Sequence, residues 1–452
     1  MLGVGISVVF SKTASVFSNV LKNAGKLLLG TVCAGILGLV YTLLAARTLS
    51  PAGLGVVALI FAWPRLIATI GTCQSWQVIL HYGAIPLEQG DRKAVQRSFA
   101  FAFGLDLIAG LAGLLIGIFG IIFFSHALGF ENSYLFYLAF FGCLIIPGRC
   151  LNNSMTGALR LFDRMGMIAR EEPYIALSRL LMALLAWQMD WGVTGFVFAY
   201  GISMLIGQFY LIYACLKVLK EKGFKFAPSF RLLKLSKEMP KGVWELVLSS
   251  NFAQSVYSGM IPALSLVLGA FFGPAVVAFF TLADSFINAI GQPADLLERS
   301  YYPELTRLDI RKSELWFLLL KVEFLSALLA VAGMGLVWIG GEPLFAFFGS
   351  DYVAALPILV FMAPTLLFWL STMPLAGVLY SAGRSKSAAG IQLIYVISMA
   401  FFMSIAIFYH SISGIGIAYS MANAVNILVY LLIVAHVFHH RKGIIPLHER
   451  IG

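Results

Sequence analysis

Charge is what this sequence has least of. Asp, Glu, Lys and Arg make up 12% of its 452 residues, against about 25% in soluble domains. Hydrophobic side chains make up 60%, and the mean hydropathy is +0.90. Apolar runs of about 20 residues or more recur along the whole chain, each long enough to cross a hydrocarbon layer of about 30 Å. A water-soluble core could not hide so many. A soluble protein is excluded, and an all-α polytopic membrane protein is expected.

Cysteine is sparse as well. The five (Cys33, Cys73, Cys143, Cys150 and Cys215) lie in or beside apolar segments, their number is odd, and no two have the CxxC spacing. A disulfide framework and a zinc site are therefore not expected, and the thiols read as small buried hydrophobes. A phosphate-binding loop is also missing. GVLYSAGRS at Gly377–Ser385 has the wrong spacing and an Arg where the Lys belongs, so ATP hydrolysis is not expected. Long hydrophilic stretches are missing too: the longest, about Lys217 to Gly242, is basic and central. No outer loop is large enough to carry the paired carboxylates of a membrane glycosyltransferase or polymerase. The expectation is a protein that is not an enzyme and carries no metal and no organic cofactor, a coupling ion (H+ or Na+) aside. The N-terminal LGVGISVVF has neither a basic lead nor a small-residue cleavage site. Residues up to about Ala24 thus read as an interfacial lead-in and not as a signal peptide.

What is present is a series of about twelve spans, roughly 26–46, 53–80, 98–124, 134–159, 173–190, 193–216, 244–269, 274–297, 315–340, 354–381, 387–409 and 413–437, the fifth of them short. A cytoplasmic N-terminus puts nearly every loop cation on one side. That side collects Lys12, Lys22 and Lys26, then Arg92, Lys93 and Arg97, then Arg160, Arg164 and Arg170, then eight residues from Lys217 to Lys241. Arg299, Arg307, Arg311, Lys312, Arg384, Lys386, Arg441, Lys442 and Arg450 follow, and only Arg47 is left outside. This asymmetry fits an even number of spans with both termini cytoplasmic. The net charge of +10 is this topology signal, directed at membrane lipids and not at nucleic acid, for which there is no soluble face.

The chain also repeats itself. GLGVVALIFAWPRLIATIG (Gly53–Gly71) lies over GPAVVAFFTLADSFINAIG (Gly273–Gly291) at a shift of 220, matching Gly53, Val56, Val57, Ala58, Ile67, Ile70 and Gly71 with their counterparts. The same shift places Gly157, Leu159, Arg164, Ala169 and Ser178 on Gly377, Leu379, Arg384, Ala389 and Ser398. A shift of 219 lays GFVFAY (Gly195–Tyr200) on GIGIAY (Gly414–Tyr419). Three matches in one order at a near-constant offset define two six-span halves: residues 1–217, a basic linker at 218–243, and residues 244–452. A shift by six spans preserves orientation, so the halves are expected to be related by a pseudo-two-fold axis along the membrane normal. Two lobes with substrate between them is transporter architecture.

The residues then resemble a family. The opening KNAGKLLLGTVCAGILGLVYTLLAARTLSPAGLGVVAL has a small-residue-rich first span, an Ala46-Arg47 exit and a short Pro/Gly turn. With SFINAIGQPADLLERSYYPELTRL (Ser285–Leu308), GVLYSAGRSK (Gly377–Lys386), GVTGFVFAY (Gly192–Tyr200) and ISGIGIAY (Ile412–Tyr419), it is similar to the polysaccharide-type, O-antigen flippase-like branch of the multidrug/oligosaccharidyl-lipid/polysaccharide (MOP) exporter superfamily. The resemblance implies a bacterial inner-membrane flippase that carries an undecaprenyl-pyrophosphate-linked oligosaccharide from the inner to the outer leaflet by alternating access. Polysaccharide-assembly proteins would be its partners. It also implies that the first, second, seventh and eighth spans line a central cavity. An ion-coupled multidrug or metabolite exporter of the same fold is the rival reading.

A few ionisable residues sit inside spans, where each costs about 2.5–3.5 kcal/mol on insertion scales and marks function by default. They are Arg65, Asp106, Arg149, Arg179, Asp284 and the Lys321/Glu323 pair. Arg65 is about 12 residues, or about 18 Å, from the outer end of its span. Arg149 and Asp284 are similarly deep, Arg179 is shallower, and Lys321 and Glu323 can snorkel to the cytoplasm. Shifted by 220, Arg65 falls on Ser285, next to Asp284, so equivalent spans carry opposite charges at nearly one depth. Gln74 follows Arg65, while Asn288 and Gln292 follow Asp284, consistent with wet faces. A guanidinium matches phosphate oxygens with a fork of donors and keeps its charge. Arg65, Arg149 and Arg179, with Asp284, Asn288, Gln74 and Gln292, are therefore the candidates for holding a lipid pyrophosphate and its sugars. Asp284 and Asp106 are candidates for ion coupling. The alternative is that these charges only pair with one another, Arg65 with Asp284 or Arg149 with Asp106. Cavity charge separates the transport readings, since a cation exporter should be rich in carboxylates and this chain has three intramembrane arginines in its first half.

Overall fold

The computed structural model describes residues 30–124, 133–240, 242–307, 311–382 and 384–440; the N-terminal lead-in and the C-terminal cations lie outside them. Within these residues the chain is almost entirely helical and contains no strand. Lipid offers no hydrogen bonds, so a spanning segment must satisfy its backbone internally, and a helix does so within one segment.

The first half comprises α1 (Gly30–Thr48), α2 (Pro51–Gly71), α3 (Ser75–Glu88), α4 (Arg92–Phe124), α5 (Ser133–Cys143), α6 (Ile145–Leu161), the short α7 (Met165–Ile168), α8 (Glu171–Gln188) and α9 (Gly192–Lys222). After α10 (Leu232–Lys237) come α11 (Val243–Phe272), α12 (Pro274–Arg307), α13 (Ser313–Phe348), α14 (Leu356–Met362), α15 (Pro364–Ser381), α16 (Ser385–Phe408) and α17 (Ile412–His439). Among the described residues ten helical segments are long and apolar enough to cross a membrane, and a further pair, Ser350–Met362 with Pro364–Leu379, bends by 43° within one span. The twelfth expected span is α8, whose 18 residues include Glu171, Glu172 and Arg179, too charged to stand out by hydropathy. Large apolar side chains on the outside, such as Ile339 at 84% and Phe408 at 80% exposure, suit a lipid-facing surface.

The chain forms two compact units. One comprises Met1–Leu49 and Ile60–Ser255, the other Ser50–Leu59 and Val256–Gly452. Each has a core built the same way. In the first unit Phe99, Phe103, Met155, Leu159, Leu211 and Leu219 of α4, α6 and α9 pack together. In the second Leu315, Leu319, Leu379, Ile391, Tyr430 and Val434 of α13, α15, α16 and α17 do so. Leu159 and Leu379, matched in the repeat, hold equivalent places.

The repeat extends to the turns. Arg164 N–H donates to Leu159 O at 2.8 Å, and Arg384 N–H donates to Leu379 O at 2.9 Å. Between α8 and α9, Asp190 has φ 53; between α16 and α17, its counterpart His410 has φ 46. Trp191 N–H then reaches Ala186 O and Ser411 N–H reaches Ala406 O, both at 3.0 Å. Non-glycine residues seldom adopt positive φ, so two such residues 220 apart in identical hydrogen-bonded turns report a common local structure.

The basic stretch expected as a linker is folded onto the first unit. Leu232, Met239, Val243 and Val247 form a cluster with Val78, Phe101 and Leu105. Ser229 N–H donates to Ala100 O at 2.9 Å, Gln96 exchanges hydrogen bonds with the backbone of Lys225 at 2.9 and 3.0 Å, and Arg92 lies 4.7 Å from the centre of the Phe224 ring. Close approach here needs a glycine: a Cβ on Gly104 would stand 2.0 Å from Ser229 O.

Candidate functional site

Inside the first unit, α2, α6 and α8 bring Arg65, Arg149 and Arg179 around Tyr200 of α9, all within electrostatic reach of its hydroxyl. Arg179 is held most closely. Its guanidinium lies 4.1 Å from the Tyr200 ring centre and 5.6 Å from that of Tyr41, and its Nε donates to Ser203 Oγ at 3.2 Å. Tyr200 rests against Phe61 with ring centres 4.3 Å apart. A cation over an aromatic face is stabilised by about 0.5–2 kcal/mol, which fixes the head group without neutralising it. Arg149 has Arg65 as a like-charged neighbour and Glu171 and Glu172 within electrostatic range. Glu171 Oε1 in turn accepts from Asn152 Nδ2 at 2.7 Å. An ion pair elsewhere in this unit, Arg164–Glu221 at 3.1 Å, lies at the surface. Among the described residues no carboxylate forms an ion pair with any of the three arginines, an arrangement suited to a multiply charged anion.

Arg149 is not partnered by Asp106. Asp106 is fully buried on α4, where its Oδ2 accepts from Ser75 Oγ at 2.6 Å and from Ser154 N–H at 2.9 Å. It ties α3, α4 and α6 together, and its Oδ1 has no donor among the described residues. Gln74 sits in the break between α2 and α3 with φ 48, and its Oε1 accepts from Trp76 Nε1 at 2.8 Å. Arg65 and Asp284 belong to different compact units.

The second unit contains a chamber of about 360 Å³, to which Asp284 and Asn288 of α12, Trp369 of α15, Gln392 and Tyr395 of α16, and Tyr419, Asn423 and Asn426 of α17 contribute. Tyr419 Oη donates to Asp284 Oδ1 at 3.3 Å, Asn423 Nδ2 donates to Tyr395 Oη at 3.3 Å and to Tyr419 O at 2.9 Å, and Asn288 Nδ2 donates to Asp284 O at 2.8 Å. Gln292 is exposed further along α12; the side chains beyond it on that helix lie outside the described residues. Lys321 is exposed against the Phe317 ring, whereas Glu323 has a buried Oε1 without a partner among the described residues.

A model of a family described as polysaccharide biosynthesis protein matches residues 20–308. The chain belongs to that family. It is 30% identical over 340 residues, 75% of this chain and 95% of the relative, to the inner membrane protein YghQ of Escherichia coli (strain K12). Among solved structures it is similar to the lipid II flippase MurJ in an inward closed conformation, with a TM-score of 0.73 at 15% identity over 90% of this chain and 87% of that one. It is also similar to an inward-facing multidrug resistance MATE family transporter of the MOP superfamily, with a TM-score of 0.65 at 17% identity over 92% and 96%. This polysaccharide biosynthesis family member therefore has the MOP fold and is a multi-pass membrane protein.

The tyrosines escaped the reading of ionisable residues. Tyr200 and Tyr419 are the last residues of the matched GFVFAY and GIGIAY, one amid arginines and the other on Asp284. The signal was in the repeat: an aromatic with a polar tip, retained at both ends of it.

Proposed function

We propose that this protein is a flippase for an undecaprenyl-pyrophosphate-linked oligosaccharide, such as an O-antigen, capsule or exopolysaccharide repeat unit. It would work by alternating access of halves 1–217 and 244–452 in a bacterial inner membrane, with both termini cytoplasmic and with polysaccharide-assembly proteins as partners. The observation that carries this reading is that Arg65, Arg149 and Arg179 all lie within electrostatic range of Tyr200, with no carboxylate in an ion pair with them among the described residues. Three guanidiniums in a low-dielectric setting match a pyrophosphate, which offers bidentate oxygens and more than one negative charge. An organic cation would be repelled there. Asp284 and Asp106 are the groups proposed to respond to an ion gradient.

The rival, an ion-coupled drug or metabolite exporter, is supported by the MATE-like fold. Loss of the protein decides between them. Undecaprenyl-linked oligosaccharide should accumulate on the cytoplasmic leaflet, measured by its protection from a membrane-impermeant periodate or lectin probe in oriented vesicles. A normal leaflet distribution with raised drug sensitivity would establish the exporter instead.

A further inference from the structure

The chamber of the second unit differs in chemistry from the arginine cluster, and its contents define a ligand. We infer that it binds a neutral or amino-bearing sugar residue of the transported lipid; this rests on the flippase reading and specifies its glycan end. Four observations point there.

The size is right for a small organic ligand: about 360 Å³ falls in the range of about 300–1,000 Å³ typical of such sites. A bare cation, which draws its ligands in to about 2.0–2.6 Å, would leave most of it unfilled.

The charge is right. Among the described residues that line it, Asp284 is the ionisable acid and there is no Lys, Arg or His. A pyrophosphate or an acidic sugar would meet the like charge of Asp284.

The hydrogen bonding is incomplete in a particular sense. Asn426, 7% exposed, and Gln392 each line the chamber, and each has a buried carbonyl oxygen, Oδ1 and Oε1, without a donor among the described residues. Buried acceptors left unpaired are costly, and both call for O–H or N–H donors from a ligand. Asn423 Nδ2, already shared between Tyr395 Oη and Tyr419 O, shows that the wall also has amide donors. Vicinal hydroxyls, which both donate and accept, fit such a wall.

The fourth observation is an aromatic side chain in the lining. Trp369 enters the lining because Gly291 leaves room for it: a Cβ there would lie 2.2 Å from the indole ring. An aromatic plane beside a carboxylate and amides is the combination that takes the C–H face of a pyranose while hydrogen bonding its rim.

The test uses the purified full-length protein in lipid nanodiscs and two probes, undecaprenyl pyrophosphate and undecaprenyl-pyrophosphoryl-N-acetylglucosamine, with binding read by quenching of intrinsic tryptophan fluorescence. Asn426→Leu, Gln392→Leu and Gly291→Ala should each weaken the sugar-bearing lipid about tenfold and leave the sugar-free lipid unchanged; Arg149→Ala should weaken both. Asn426→Asp, nearly isosteric, guards against misfolding and should retain sugar binding. Methyl N-acetylglucosaminide and methyl glucoside titrated alone should bind at millimolar concentration, with the signal lost in Trp369→Phe. Equal binding of the two lipids by wild type and by every chamber variant overturns the sugar site and leaves the flippase reading standing. Binding of the free glycosides without binding of either lipid keeps the chamber and removes the flippase reading. A response to sodium chloride with none to glycosides overturns the inference in favour of an ion site.

Discussion

The two halves of this chain repeat one scaffold and carry opposite chemistry. In the first unit α2, α6, α8 and α9 gather three arginines around Tyr200. In the second, α12, α15, α16 and α17 gather one carboxylate, three amide-bearing side chains of α16 and α17, and aromatic rings around a chamber. The turns that set these helices are superposable in their hydrogen bonds, down to the positive φ of Asp190 and His410. The scaffold is therefore indifferent to what it displays. The two units differ in the side chains these helices gather, arginines in the first and a carboxylate with amides in the second. Such sorting suits a substrate whose two ends differ, a charged anchor and an uncharged head.

The strongest way to break this comparison is to discharge the first cluster. Arg149→Ala combined with Arg179→Ala should reduce flipping in reconstituted vesicles at least about 100-fold, since each charge-assisted contact contributes about 1.5–3 kcal/mol. Lysine at both positions should restore only part of it, because the bidentate fork is gone. Full activity of the alanine pair would remove the arginines from the site.

Next in size is Asp284→Asn, which keeps shape and removes charge from the second cluster. Transport is expected to fall about tenfold and to lose its response to an imposed proton or sodium gradient; a variant still driven by the gradient places coupling elsewhere. For Asp106, which holds Ser75 and the Ser154 amide, alanine should strand both donors at about 1–3 kcal/mol each, seen as a lower melting temperature. A melting temperature equal to wild type would show that this carboxylate is not a tie between helices.

The repeat-related tyrosines should give the smallest and most diagnostic effects. Tyr419→Phe removes the hydroxyl that donates to Asp284 and should weaken transport by about threefold to tenfold. Tyr200→Phe keeps the ring under Arg179 and should stay within about twofold. Equal effects would mean that the two tyrosines have one role and that the halves are less specialised than their charges suggest.

Much of this was legible in advance. The spans follow from apolar runs of bilayer length, α8 among them as a short one, 173–190, despite Arg179. Arg65 stood out because a charge within the apolar run Ala58–Gly71 is expensive in lipid. Asp284 stood out once the repeat set it beside the position of Arg65. What did not emerge was that Asp106 would be satisfied by serines and an amide, or that Tyr200 would stand at the centre of the arginines. Depth along a helix can be counted from sequence; the direction a side chain takes around the helix axis cannot be counted when every face of the helix is apolar.

By itself the sequence determined the helical class, the number of crossings to within the one charged helix, the two-fold repetition and the few residues whose burial demands a reason. These follow from one-dimensional physics, the length of an apolar run against the thickness of lipid and the expense of a charge within it. Only the tertiary structure decided which of those residues meet. In lipid there is no polar outside to orient a helix, so its rotation is set by close packing at small residues. Gly148 admits Gln208, Gly120 admits Trp63, and Gly291 admits Trp369. Those contacts join residues distant in the chain, and through them one half came to present guanidinium and the other a carboxylate among amides and rings.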